Sequence, residues 1–195
     1  MLGRARLLSV VATILAGALG VISSTQTWVV VTLADGAAHT VDVAGAAAIP
    51  VLAPLSLATL ALGAALSIVG LLLRWVFGVL TLVIAVALGI LTSLAAFATP
   101  VAAYAASVTS TTGITGTDAV AALVSSATTT PWPYVTLVAW VVLLAAGIMT
   151  LATATRWGGT GRRYRTDAGA AGAASRPRDA VDSWDDLSRG SDPTA

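Results

Sequence analysis

The sequence predicts an all-α integral membrane protein: four transmembrane helices, both termini cytoplasmic, a short β-hairpin in the first outer loop and a disordered cytoplasmic tail. Three observations predict it. Apolar residues make up 57% of the 195 and charged residues only 10%, against roughly 45–50% and 25% in soluble domains. Four apolar stretches come close to or exceed the roughly 20 residues that a helix needs to cross a bilayer. Every arginine falls on what four crossings make one side, and cytoplasmic flanks carry the positive charge.

Residues 1–6 form the cytoplasmic start, with Arg4 and Arg6. The first span, 7–24, is the shortest. Its Ala16-Gly17-Ala18 patch resembles a signal-peptide cleavage site, but the apolar run continues through it, so a retained helix is expected. Outer loop 25–50 holds β-branched Trp28-Val29-Val30-Val31-Thr32-Leu33, then the turn signal Asp35-Gly36 before Thr40-Val41-Asp42-Val43, which reads as a hairpin. An isolated hairpin is marginal in water, so it is expected to lean on the helix ends or the second outer loop.

The second and third spans, 51–73 and 76–98, flank Arg74-Trp75, read as a tight cytoplasmic turn with Arg74 as a cytoplasmic anchor. Outer loop 99–133 is rich in Ser, Thr and Ala, and Thr117 to Val124 reads as a capped amphipathic helix with Thr117 at or near the N-cap. Pro131-Trp132-Pro133 ends that loop and starts the fourth span, 134–155. Trp28, Trp75, Trp132, Tyr134 and Trp157 sit near span ends, where aromatic rings anchor in the headgroup layer. Trp140 lies deeper and is expected to pack between helices. Gly63/Ser67 and Ala85/Gly89 are weak small-residue contact pairs.

The tail, 156–195, divides by charge. Arg156, Arg162, Arg163 and Arg165 form a basic collar suited to anionic headgroups, each arginine worth about 1 kcal/mol near such a surface. An Ala/Gly-rich linker follows. The end sets Trp184 and Leu187 three residues apart among Asp185, Asp186 and Asp192, either a short linear motif that orders on a partner or a solubilising acidic end.

Composition excludes much chemistry. Without Cys, Lys or Glu the chain offers no disulfide, thiolate metal site, Schiff-base lysine or glutamate acid/base. His39 with Asp35 and Asp42 is too sparse a set to expect a metal, and no cofactor is expected. No charged residue is predicted deep in a span, where coupled transporters keep theirs. No nucleic-acid partner is expected, and homo-oligomerisation stays open.

The chain resembles the tryptophan biosynthesis-associated membrane proteins, a bacterial four-span family. The likeness rests on the basic first span leading to Trp28, the entry Pro50-Val51-Leu52-Ala53-Pro54-Leu55-Ser56-Leu57-Ala58, and Arg74-Trp75. Its most specific part is the closing Trp184-Asp185-Asp186-Leu187-Ser188-Arg189-Gly190-Ser191-Asp192-Pro193-Thr194. The family supplies no catalytic residues to carry over. Inert spans, a basic collar, a flexible linker and a compact acidic end read as a non-enzymatic anchor or regulator in the bacterial plasma membrane, binding a cytosolic partner through Trp184, Asp185, Asp186, Leu187 and Asp192; the resemblance implies that this partner is a tryptophan-pathway enzyme. The alternative is a small transporter, or an accessory subunit of one, for tryptophan or indole.

Overall fold

The computed structural model describes residues 2–34 and 38–156. Four antiparallel helices make the body: α1 (Leu2–Thr25), α3 (Leu52–Leu66), α4 (Leu71–Ser93) and α7 (Trp132–Thr153). α1 packs against α3 on one side and α7 on the other, and α4 packs against α7. Their apolar composition drives them into a bilayer, but small and hydroxyl residues set the packing. On α1 the buried stripe is Ser9, Thr13, Ala16, Gly17, Gly20 and Ser23, which share one helical face. Ser56, Thr59 and Gly63 of α3 are buried opposite. A Cβ at Gly17 would lie 2.8 Å from the Leu60 amide nitrogen, so only glycine allows this backbone approach. Buried hydroxyls bond one turn back within their own helices: Thr13 donates to the Ser9 carbonyl (2.8 Å), Ser56 to Leu52 (2.7 Å) and Thr150 to Ala146 (2.8 Å). Each of these hydroxyls thereby has a partner within its own helix.

Arg6–Thr25, Leu71–Ala98 and Trp132–Thr153 are long and apolar enough to cross a membrane, while Leu52–Leu66 has 15 residues. The expected second span is therefore too long, and the turn is misplaced. The chain turns at residues 67–70, and Arg74-Trp75 lie inside α4. Ser67-Ile68-Val69-Gly70 is as apolar as its flanks, so hydropathy does not mark it; the charge at Arg74 does, and misleads.

At the opposite end the two long loops, the first of them closing with the one-turn helix α2 (Gly45–Ala48), join in one cap. β1 (Thr27–Leu33) pairs antiparallel with β2 (Thr40–Ala44), as the hairpin reading expects, and also with β3 (Val124–Thr129). β1 is the centre of the sheet. Val29 faces Val43 and Val31 faces Val41 across the first ladder, all buried. These residues share one core with Tyr104 and Val108 of α5 (Val101–Thr112) and Val120 of α6 (Thr117–Leu123). α6 is the expected loop helix; its N-cap is Gly116, with Thr117 the first helical residue. α5 and β3 were not expected, because Ser/Thr/Ala-rich sequence carries little periodicity. The expected Asp35-Gly36 turn and Trp157 lie outside the described residues.

Candidate functional site

Of the residues expected to carry function, Trp184, Asp185, Asp186, Leu187 and Asp192 lie outside the described residues, as do Arg162, Arg163 and Arg165. Arg156 closes a 3₁₀ turn, Ala154–Arg156, at the end of α7. His39 and Asp42 are exposed at β2, and Asp35 is outside the described set. Among the described residues no group of three His, Cys, Asp or Glu side chains could hold a metal.

Arg74 is a correction. It is 3% exposed rather than a cytoplasmic anchor. Its Nη1 donates to the Ala154 carbonyl (2.9 Å) and its Nη2 to the Val69 carbonyl (3.2 Å). The guanidinium thus ties the turn before α4 to the end of α7, satisfying a turn carbonyl and one that a helix end leaves without an intrahelical partner. Arg6 Nη2 donates to the Ser67 carbonyl and binds the start of α1 to the same turn. Both arginines gather at one end of the bundle, away from the sheet.

Two tryptophans organise the rest. Trp140 is 2% exposed, and its Nε1 donates to Thr92 Oγ1 of α4 (3.1 Å). A Cβ at Gly20 would come within 2.6 Å of the tip of its ring and 2.4 Å of Ser56 Oγ. One indole from α7 therefore reaches α4 and α1 beside α3, the helix-packing role expected of it. Leu88 and Leu143, both fully buried, lie in the same core. Trp28 departs from expectation: it is fully buried rather than anchored in headgroups. The register shift between Thr27 and Val29 puts Trp28 and Val29, adjacent in sequence, both inside. Trp28 Nε1 donates to the carbonyl and the hydroxyl of Ser23 (both 3.0 Å), and that hydroxyl also bonds Thr136 Oγ1. Gly45 leaves room for the ring, since a Cβ there would lie 2.7 Å from Nε1. The Ala85/Gly89 pair is not a contact at Gly89, where a Cβ would meet open space, and Ser67 is exposed in the turn.

At the sheet end α4 gives way to a π-helical turn, Leu94–Ala98, and then to Thr99 in the left-handed region (φ 36°, ψ 59°). Thr99 is β-branched, and its cost there is on the order of 1–2 kcal/mol. Tyr134 of α7 braces this turn. Its hydroxyl donates to the Ala96 carbonyl (3.2 Å), and its ring meets Phe97 edge-on at 5.6 Å. Beside the turn opens a cleft of about 480 Å³, lined by Ile49, Pro50, Val51, Leu91, Leu94, Pro100 and neighbouring alanines. A second groove, about 430 Å³, runs between α1 and α7 and is lined by Leu15, Leu19, Val135, Val138 and Val142. No charged side chain lines either. Hydropathy gave no sign of the π turn or the cleft; Thr99-Pro100 marked only the end of a span.

No curated protein and no solved structure matches the chain. A family model does, over residues 10–194, from the first helix to the acidic end. With three helices long and apolar enough to span a bilayer, the chain is a multi-pass membrane protein, and it belongs to the family of tryptophan-associated transmembrane proteins.

Proposed function

We propose that this chain is a non-enzymatic, four-span protein of the bacterial plasma membrane that anchors or regulates a cytosolic partner in tryptophan metabolism through its C-terminal motif. The observation that carries this reading is the reach of the family match. It runs through residue 194, so the matched region takes in the acidic end with Trp184 and Leu187. In this reading both termini are cytoplasmic. Arg156, Arg162, Arg163 and Arg165 hold the membrane-proximal chain at anionic headgroups. Trp184 and Leu187 supply the apolar contact, and Asp185, Asp186 and Asp192 meet a basic patch on the partner. Transport of an aromatic metabolite is the weaker reading, since Trp140 with Leu88 and Leu143 fills the middle of the bundle.

The test is a pull-down from native membranes of the full chain beside a version ending before Val181, with mass spectrometry of what each retains. A cytosolic enzyme recovered only with the intact end is the expected result. Trp184→Ala should weaken that binding about thirtyfold, the loss of about 2 kcal/mol that an aromatic hot spot carries. Equal recovery from both versions would reject the anchor reading.

A further inference from the structure

We propose that the cleft at the sheet end is a binding site for a neutral, compact aromatic molecule of the indole class. Three features meet there. The helix that forms one wall is interrupted by a π turn at Leu94–Ala98, a distortion often found at functional sites. The next residue, Thr99, holds a left-handed conformation that a β-branched side chain adopts only at a cost. Leu94 and Ala95 of the turn, and Pro100 directly after Thr99, line the cleft of about 480 Å³, within the range of small-molecule sites.

A tight exit from α4 would not need this arrangement. Glycine at position 99 would make the turn without strain, and an unbroken α-helix would keep its regular hydrogen bonding. Instead the π turn is braced on one side by Tyr134, whose hydroxyl takes up the Ala96 carbonyl. It gives Leu94 and Ala95 to the cleft on the other.

The lining selects the ligand. Ile49, Pro50, Val51, Leu91, Leu94 and Pro100 offer apolar surface and two proline rings. No charged side chain lines the cleft to meet an ammonium or carboxylate, so a zwitterionic amino acid would lose its hydration uncompensated. Depth selects further. The apolar run Leu71–Ala98 has 28 residues, which at about 1.5 Å each exceed a hydrocarbon core of about 30 Å, and the cleft lies at its sheet end. The cleft therefore opens at the interfacial layer, where aromatic rings concentrate and acyl chains only begin. That favours a flat ring over a lipid tail. The family's association with tryptophan makes the bare ring of that amino acid the natural representative. This site stands apart from the tail and does not depend on the anchor reading.

The experiment is ¹⁹F NMR of 5-fluoroindole with the full chain in nanodiscs, against empty nanodiscs of the same lipid to subtract partitioning. Ala102, exposed at the cleft, takes a filling ring in Ala102→Trp. Val138→Trp fills the α1–α7 groove instead and controls for non-specific apolar binding. Saturable binding is expected in the wild type, weakened at least tenfold in Ala102→Trp, unchanged within twofold in Val138→Trp, and not displaced by equimolar L-tryptophan. Leu94→Trp, half-exposed on the other wall, should repeat the loss should Ala102→Trp fold poorly. The proposal is overturned by binding no greater than in empty nanodiscs, by equal loss in Val138→Trp, or by displacement with L-tryptophan. It is equally overturned if native mass spectrometry finds a phospholipid retained by the wild type and released by Ala102→Trp.

Discussion

Arg74 shows how far one side chain can depart from what its charge suggests. Beside Trp75, in the longest apolar stretch of the chain, it reads as a loop residue that anchors the chain on the cytoplasmic side. Its guanidinium instead spans two carbonyls, that of Ala154 at the end of α7 and that of Val69 in the turn before α4. Charge and geometry make different demands here, and they can be separated. Lysine keeps the positive charge that orients the span but replaces a planar fork with a single ammonium point. Arg74→Lys should therefore insert with the wild-type orientation yet unfold at lower temperature in detergent. Losing one bond to a charged donor costs about 1.5–3 kcal/mol. A Lys variant as stable as wild type would return Arg74 to the role of a simple charge marker. Trp28 teaches a related lesson. Its place at a span end suggested an anchor, and only the bulge that turns it inward beside Val29, invisible in composition, makes it core.

Among the elements, legibility followed periodicity. α1, α4 and α7 announce themselves by length and apolarity, and the β1–β2 hairpin by its β-branched run and turn signal. β3 carries only Val124 and Ala127 among hydroxyl residues and becomes a strand because β1 offers it an open edge. α3 is the opposite case, clear in kind and wrong in extent, because no charged residue punctuates 51–73 where the turn falls. What the sequence hid most completely is how α1 meets α3. The small residues of α1 are common in an Ala-rich chain, and only their register against Ser56, Leu60 and Gly63 makes them a seam. Gly17 is the tightest point, its missing Cβ 2.8 Å from the Leu60 nitrogen and 3.0 Å from the Ser56 carbonyl. Backbone on the far side cannot rotate away as a side chain would. Gly17→Val should push the helices apart and lower stability by about 1–3 kcal/mol, the cost of overpacking. The same change at Gly89, which faces open space, should cost far less. Equal melting temperatures for the two variants would mean that the seam does not set the packing.

For the whole molecule, the arrangement of ends ties topology to a test. α3 runs 15 residues, about 22 Å of helix, short of a hydrocarbon core of about 30 Å. Length alone therefore leaves three crossings. The four-span proposal takes its support from the hydrogen bond from Arg6 to the Ser67 carbonyl, which sets the turn after α3 at the end of the bundle where α1 starts, opposite the sheet. A short crossing helix meets thickness by thinning the bilayer or by sinking its turn into the interface. Ile68 and Leu72, the most exposed large apolar residues of that turn and its exit, suit the second. The absence of cysteine makes the arrangement directly readable, since any introduced thiol is the sole target of a membrane-impermeant maleimide. Ser125→Cys, exposed on β3, should label from outside in intact cells. Arg4→Cys should label only after the membrane is opened, and Ser67→Cys likewise but more slowly, because its turn is half sunk. Labelling of Ser67→Cys from outside in intact cells would show that α3 re-enters without crossing. The arginine-bearing ends would then lie on different sides, and the cytoplasmic placement on which the tail's proposed partner depends would fall with the four-span topology.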